Sequence, residues 1–427
     1  MPRRIPFTYH SFQTVTGFTL VIIMSAAALT VHAQTAVSRE PVTMRQVFEA
    51  AWSRQPEAAA LSERREAARA QQLAAKSWTP EPIAAELAAT TDRLNRNLGT
   101  REYEVGISIP LWLPGERRLS QAQADSEGRV IDSQTKAAQL KVAAAVREAW
   151  WNLQRARAEL DTVLGLLDNA NRLAADVNNR FKAGDLAQGD LYQADGAVAA
   201  AESAVAQAQA DAIGAGQNLR MLAAVPALNL NSDRVDYSPE PDPGEVVADP
   251  HMHGELLALS DRVALAKSTA ALTATQTRAN PELTVATTRD RGAFGETWQQ
   301  TIMVGVRIPF GAGARHEARA ASARAETIEL DAQLQLEWAR LKGLRESAKA
   351  RINATRVQLE ASDRRARLAR ESRGFFEKSF LAGETDLPTR LRIEAEAADA
   401  ERQAASARIE HAAAISQWRQ SLGLLPQ

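Results

Sequence analysis

The sequence predicts a mostly α-helical protein with a small β portion, built from a duplicated unit of one β-hairpin and two long antiparallel coiled-coil helices. Three observations predict it: a repeat at a fixed interval, two short segments with apolar residues at every second position, and long segments with coiled-coil spacing. The 427 residues include 51 basic and 52 acidic side chains, so net charge gives no reason to expect a nucleic-acid partner. The chain has no cysteine, which excludes disulfides, thiolate metal sites and a lipidated N-terminal cysteine.

The first 33 residues differ from the rest of the chain. Arg3 and Arg4 precede an apolar run from Phe18 to Leu29, and the small residues of VHA at 31–33 resemble a cleavage site. The run is far shorter than the roughly 20 residues of a membrane-spanning helix. We therefore expect residues 1–33 to be a signal peptide and the protein to be exported.

The chain repeats itself at one interval. VGISIP (105–110) matches VGVRIP (304–309), and RFKAGD (180–185) matches SFLAGE (379–384), each pair lying 199 positions apart. We predict a first repeat over 34–237 and a second over 251–427. The connector between them, 238–250, is rich in proline, which predicts an extended segment running over the surface.

Two long helices are predicted in each repeat. In the first, apolar residues and alanines follow steps of three and four from Val146 to Val177 and again from Leu191 to Leu222, which predicts helices 115–181 and 188–223. The first of these would be on the order of 100 Å long. The second repeat has helices at 314–380 and 387–423 on a weaker pattern, because Arg345 and Arg373 occupy equivalent positions.

The period-two segments predict the second strands of two hairpins, 81–112 and 281–310, each preceded by a weaker strand. In EYEVGISIPLW (102–112) and WQQTIMVGVRIPF (298–310), one face is apolar and the other polar. The residues predicted to face lipid are Tyr103, Val105, Ile107, Ile109, Trp298, Ile302, Val304, Val306 and Ile308.

The length of these strands suits a membrane. An eleven-residue strand tilted by about 40° reaches roughly 28 Å, close to the apolar band of an outer-membrane barrel. Four strands cannot close a barrel, and lipid does not tolerate an open edge, so closure requires other chains; three chains would give twelve strands. The pattern leaves one alternative open, a soluble four-stranded sheet that buries the same face against the helices.

The sequence resembles the TolC-like outer-membrane efflux factors. The resemblance rests on the duplication, on a hairpin before each long helix, and on the strand exits SIPLWLPGERR and RIPFGAGARH. It also rests on the tip segments RFKAGDLAQGDLYQA and SFLAGETDLPTRLRI. It implies a homotrimer whose 12-stranded β-barrel in outer-membrane lipid continues as an α-helical barrel through the periplasm. Such a channel-tunnel passively conducts substrates from an inner-membrane transporter, here of the resistance-nodulation-division type, by way of a periplasmic membrane-fusion adaptor.

The resemblance places both the gate and the adaptor-docking site at the periplasmic helix tips. The residues concerned are Phe181, Gly184, Asp185, Asp190, Phe380, Gly383, Glu384, Arg390 and Arg392. The family often carries acids one and two turns past the tip glycine. Asp190 falls on the first of these positions in the first repeat, whereas the second repeat has Thr389 and Arg392. Our hypothesis is that Asp190 contacts Arg390 or Arg392 in a closed tip; the alternative is that these are solvated charges on helix ends.

No catalytic, cofactor or metal site is predicted, so we do not expect an enzyme. HMH at 251–253 adjoins the connector and lacks a third ligand, which favours a solvated loop. Trp150 and Trp151 are interpreted as packing residues. The alternative function is a soluble periplasmic coiled-coil scaffold or adaptor. For the cargo, the metal-cation branch and the drug or general export branches of the family fit about equally well.

Overall fold

The computed structural model describes residues 42–223, 239–244, 252–311 and 313–427, so the predicted signal peptide and part of the connector lie outside the described residues. The elements, in chain order, are α1 (Met44–Ser53), α2 (Pro56–Ala59), α3 (Leu61–Ala75), β1 (Ala84–Thr91), β2 (Arg101–Pro110), α4 (Glu116–Ala183), α5 (Gln188–Ala223), α6 (Gly254–Thr275), β3 (Glu282–Arg291), β4 (Gln299–Arg307), α7 (Gly313–Leu381) and α8 (Leu387–Ser421). The predicted fold class, a mostly helical chain with a duplicated unit of hairpin and long helices, is confirmed.

The long helices run side by side. α4 has 68 residues and α7 has 69, so each is about 100 Å long at 1.5 Å per residue. Near the sheet, α4 packs on α3 and α6, and α6 packs on α7; farther away, α4 packs on α5 and α8, and α8 packs on α7. The helices α1 to α3 and α6 were not anticipated from the sequence.

The largest apolar cluster lies about midway along α4 and joins α1, α4, α5 and α8. Trp150 and Trp151 are buried in it, and the indole nitrogen of Trp151 donates a hydrogen bond of 2.9 Å to the Ser416 hydroxyl. Leu153, whose side chain is also fully buried, belongs to the same cluster. The interpretation of the two tryptophans as packing residues therefore agrees with their surroundings.

The connector is anchored next to this cluster, and the expectation of a purely surface-running segment is wrong at Glu240. Its carboxylate is buried and accepts two 2.8 Å hydrogen bonds from the Arg147 guanidinium and one of 3.2 Å from Arg419. Arg419 also donates to the Pro241 carbonyl at 2.9 Å. A buried carboxylate between two guanidinium groups holds the connector to both repeats.

The expectation of a solvated loop is also wrong for His253. This residue precedes α6 and is 2% exposed, because it packs against the backbone of Gly423 beyond the end of α8. Burial lowers the pKa of His253, although the Gln420 carbonyl at 3.4 Å opposes the shift. His251 lies outside the described residues.

The four strands form one antiparallel sheet in the order β1-β2-β3-β4. The central pairing of β2 with β3 joins the hairpin of one repeat to that of the other, with Val105 opposite Thr287 and Gly106 opposite Ala286. A Cβ atom at Gly106 would lie 3.1 Å from the Ala286 Cβ, so glycine permits this close pairing. β1 and β4 are the edges of the sheet, which makes no extensive contact with any described helix.

Candidate functional sites in the sheet and the helix tips

The sheet presents its apolar face to the outside. On β2, the exposed fractions are 49% for Tyr103, 53% for Val105 and 44% for Ile107, whereas Gly106 and Ser108, on the opposite face, are buried. In a soluble protein the apolar face of a half-exposed sheet is the buried one. The arrangement seen here is the reverse.

Strand register carries this face across the whole sheet. Val105 lies opposite Leu87 on β1 and Thr287 on β3, and Thr287 lies opposite Ile302 on β4. The predicted residues of the second hairpin share the face and are exposed: Trp298 36%, Ile302 77%, Val304 68%, Val306 58% and Ile308 42%. Of the nine predicted residues, only Ile109 is half-buried.

The alternative of a soluble sheet folded against its own helices is therefore not what the described chain shows. The face that such a sheet would bury is the exposed one, and no described helix covers it. The strands β1 and β4 each leave one row of backbone donors and acceptors without a strand partner in the single chain. Such edges are pairing sites for another chain.

The two helix tips use the same backbone motif at the same interval. Gly184 (φ 87°) and Gly383 (φ 77°) both adopt the left-handed conformation that favours glycine. At the first tip, the Gly184 amide donates to the Phe181 carbonyl at 3.0 Å, and the Asp185 amide donates to the Arg180 carbonyl at 2.9 Å. Gly383 and Glu384 repeat both bonds at 3.1 and 2.9 Å. The two predicted glycines thus end α4 and α7 in Schellman motifs.

The two aromatic residues at the tips are not equivalent. Phe380 is 3% exposed and packs in a cluster with Val177 of α4, Ala194 of α5 and Leu387 of α8. Phe181 is half-buried and lies outside that cluster. The Phe380 ring of the second repeat thus packs in one cluster with residues from both helices of the first.

Arg180 links the two tips, and no pattern in the sequence singles it out. Its guanidinium lies over the Phe380 ring, 4.8 Å from the ring centroid, and donates 3.0 Å hydrogen bonds to the carbonyls of Phe380 and Leu381. These are terminal carbonyls of α7, where a positive charge is stabilising. From the sequence, Arg180 could have been noticed only as a basic residue in the last turn of a predicted helix.

The charged residues predicted at the gate are engaged elsewhere in the single chain. Asp190 accepts a 3.0 Å hydrogen bond from the Ala187 amide at the start of α5. Arg390 is buried and pairs with Glu394 at 2.7 Å, while Arg392 pairs with Glu396 at 2.5 Å. A contact of Asp190 with either arginine is not formed here and stays a prediction for the assembled channel.

Asp185 and Glu384, which follow the two glycines, are exposed at the ends of the tips. Asp386, two residues after Glu384, caps α8 by accepting a 3.1 Å hydrogen bond from the Thr389 amide. Hydrogen bonds from the Thr389 side chain and backbone lower the pKa of Asp386. Each exposed turn thus carries at least one acidic side chain, Asp185 in the first repeat and Glu384 in the second.

Two further properties concern only the part of the chain that the structure describes. No cluster of three or more potential metal ligands is found there. None of the described helices combines the length and apolar character of a membrane-spanning helix.

Comparison with known proteins gives a sequence match and several fold matches. Residues 47–225 match the family model described as outer membrane efflux protein. No curated protein sequence matches the chain. The family match agrees with a channel protein rather than an enzyme.

The fold matches extend over nearly the whole chain. The outer membrane protein VceC of Vibrio cholerae is 16% identical with a TM-score of 0.71, over 89% of this chain and 96% of that one. The CmeC outer membrane channel of Campylobacter jejuni is 14% identical with a TM-score of 0.71, over 90% and 86%. The MtrE outer membrane channel of Neisseria gonorrhoeae is 15% identical with a TM-score of 0.68, over 90% and 89%. At these identities the likeness shows the fold.

Proposed function

With residues 47–225 in the outer membrane efflux protein family and the fold of TolC-like channels over most of the chain, we propose that this protein is the outer-membrane channel-tunnel of a tripartite efflux system. It passively conducts substrates that an inner-membrane pump delivers through a periplasmic adaptor. The channel is gated at the periplasmic helix tips.

The observation that carries the proposal is the outward apolar face of the sheet. Leu87, Val105 and Ile302 lie in register on three of its strands and are 78%, 53% and 77% exposed. Leaving such a continuous apolar face in water is unfavourable by about 25 cal/mol per Å². Lipid removes this cost, and the strands alternate as those of a membrane barrel do.

The free edges of the sheet support assembly with further copies. β1 of one chain would pair with β4 of the next, which satisfies backbone groups that lipid cannot. A head-to-tail contact of this kind closes into a ring. Three chains of four strands give the twelve-stranded barrel, and the long helices then surround a tunnel on the side of the sheet from which they leave.

The helix tips support the assignment of gate and docking site. They lie about 100 Å along α4 and α7 from the sheet, far enough to cross the periplasm toward partners at the inner membrane. Each tip exposes an acidic side chain just after its glycine, Asp185 or Glu384. An adaptor with basic side chains would complement them.

Extraction and assembly test the proposal. The mature protein should require detergent, migrate as a compact trimer unless boiled, and give conductance steps in planar lipid bilayers. A water-soluble monomer obtained without detergent would contradict the proposal.

A matched pair of variants tests the face itself. Val304 and Met303 are neighbours on β4 that point to opposite faces and are 68% and 50% exposed. Val304→Arg should reduce the yield of inserted trimer severalfold, because arginine on a lipid-facing strand costs about 2–4 kcal/mol near the bilayer midplane. Met303→Arg should insert normally.

A further inference from the structure

Two arginines interrupt the apolar face of the sheet at its loop end. Arg289 lies opposite Tyr103, and Arg291 lies opposite Arg101, so both belong to the face that carries Tyr103 and Val105. Toward the helices, the same face of β3 continues with Thr287, Val285 and Leu283. The cationic residues are therefore confined to the end of the sheet where the hairpin loops lie.

Both arginines are held by aromatic rings. The Cζ atoms of Arg289 and Arg291 lie 5.3 and 5.0 Å from the centroid of the Trp298 ring, which stacks on Tyr103 at 5.8 Å. Arg291 also lies over Phe294 at 5.6 Å and donates to the Gly99 carbonyl at 3.2 Å. A guanidinium that rests its flat face on a ring keeps its N–H edge free to bind.

The positive charge of these arginines is not neutralised. The neighbouring Arg101 pairs with Asp92 at 2.9 Å, but no ion pair to a carboxylate is found for Arg289 or Arg291 within the described residues. Two fixed guanidinium groups without a carboxylate suit an oxyanion that accepts several hydrogen bonds, as phosphate does.

The position of the pair indicates the source of the phosphate. Both hairpin loops lie at the end of the sheet opposite α4 and α7. Under the proposed function, on which this inference rests, the helices are periplasmic and the loops face the outside. Arginine on a lipid-facing strand is tolerated near the interface and costly at the midplane. Arg289 and Arg291 would thus lie at the headgroup level of the outer leaflet.

We propose that Arg289 and Arg291, held against Trp298, bind the phosphate of a phosphate-bearing lipid in the outer leaflet. The aromatic residues Tyr103 and Trp298 lie beside the acyl chains, while the two guanidinium groups engage the headgroup. The barrel would then have a specific lipid-binding site on its outer surface, separate from the channel.

Lipid titration of the purified, delipidated trimer tests this site. The probe is diphosphoryl lipid A added in detergent, and the readouts are bound lipid by native mass spectrometry and quenching of tryptophan fluorescence. We expect the Arg289→Gln/Arg291→Gln variant to bind at least tenfold more weakly than the wild type. The matched control is Arg307→Gln, which removes an exposed arginine from the opposite face of β4 at its helix end, and it should bind normally.

Two further arms separate the sources of the phosphate. Dephosphorylated lipid A should bind the wild type only weakly. Its affinity should not exceed the affinity of the double variant for the diphosphoryl form. Inorganic phosphate at millimolar concentration should not displace the lipid. Displacement by free phosphate would overturn the assignment to a lipid.

The assembled trimer on a gel, measured before each titration, distinguishes the two proposals. A protein that forms no detergent-dependent trimer contradicts the proposed function. If the double variant forms a compact trimer that binds lipid A as tightly as the wild type, only the lipid site is overturned. The same holds if Arg307→Gln loses as much affinity for lipid A as the double variant does. Should the double variant fail to assemble, Arg289→Gln and Arg289→Lys decide, because Arg289 is exposed. Lysine should retain part of the affinity that glutamine loses.

Discussion

The two repeats share one helix plan but stabilise their helix pairs by different means. Between α4 and α5, small apolar side chains meet, as in the cluster of Val163, Val205 and Ala208. Between α7 and α8, an alanine cluster is flanked by ion pairs that cross from helix to helix. These are Arg365 with Asp399 at 3.2 Å, Arg370 with Glu401 at 3.0 Å and Arg408 with Asp363 at 2.7 Å.

The difference explains the weak coiled-coil pattern of the second repeat. Arg373 occupies a position where an apolar residue was expected, and it lies 4.0 Å from Glu394 and 3.7 Å from Glu401 on α8. Arg345, at another such position, donates to the Ser421 carbonyl at 3.0 Å. Equal helix geometry can thus arise from an apolar or a charged contact row, provided that each charge finds a partner.

The largest effect is expected where the two repeats are joined. Glu240→Gln should lower the free energy of unfolding by about 3–5 kcal/mol, because it leaves the buried Arg147 and Arg419 without their carboxylate. Chemical denaturation of the detergent-solubilised protein measures it. Asp242→Asn, at an exposed position of the same segment, is the control. Equal stability of the two variants would show that the buried charges are compensated in another way.

The next largest effect is a difference in local stability between alanine variants of the two tip phenylalanines. Phe380→Ala removes a buried ring and should cost about 3 kcal/mol of local stability. Phe181→Ala, at the equivalent but half-buried position, should cost under half as much. Hydrogen exchange of the 173–194 and 377–391 segments reports the local opening. Similar exchange rates in both variants would refute the unequal packing of the tips.

The gate hypothesis gives a smaller and more specific effect. If Asp190 contacts Arg390 or Arg392 in a closed tip, Asp190→Lys should raise the conductance of the reconstituted channel severalfold, because it replaces attraction by repulsion. Asp386→Lys removes a helix-capping acid from the other tip and should leave conductance near the wild-type level. Unchanged conductance in Asp190→Lys would remove the hypothesis.

The smallest effect is a dependence on pH of the ion pairs that join Glu410 of α8 to Arg155 of α4 and Arg351 of α7. Burial by itself raises the pKa of Glu410, but hydrogen bonds from Arg155 and Arg351 outweigh it and lower the pKa. Folding therefore favours the ionised form of Glu410. The contribution of Glu410 to stability is complete above the ordinary glutamate pKa and is lost as the pH falls through the lower pKa that this residue has in the folded protein. The melting temperature should fall below about pH 4, and less steeply in Glu410→Gln.

The control for this titration is Asp168→Asn in the first repeat, where Asp168 pairs only with Arg172 of its own helix among the described ion pairs. Its melting curve should follow the wild type at every pH. A Glu410→Gln curve that also follows the wild type would show that these ion pairs contribute nothing measurable.

Local patterns sufficed to predict the strands and the long helices. Period-two alternation around Val105 and Val304, and three-and-four spacing along α4 and α5, are properties of neighbouring residues. The short helix α3 escaped prediction because its apolar pattern is weak, with Leu73 70% exposed. Its position is decided by packing on α4.

The features that the sequence missed depend on contacts between distant residues. Glu240 meets Arg147 and Arg419 across 93 and 179 positions, and Arg180 meets Phe380 across 200. The arginines on Trp298 became visible only through strand register. Spacing along the chain carries no information on such pairings, whereas the outward apolar face could be inferred from the alternation together with the open edges.

The bonds of Arg180 have a mechanical consequence. Arg180, at the end of α4, donates hydrogen bonds to the last carbonyls of α7. A force applied to one helix tip is therefore transmitted to the other. An assembled trimer would then present three stiff units to its adaptor instead of six independent ends. Under the proposed gating, dilation of the entrance would have to move each hairpin pair as a whole or first detach Arg180.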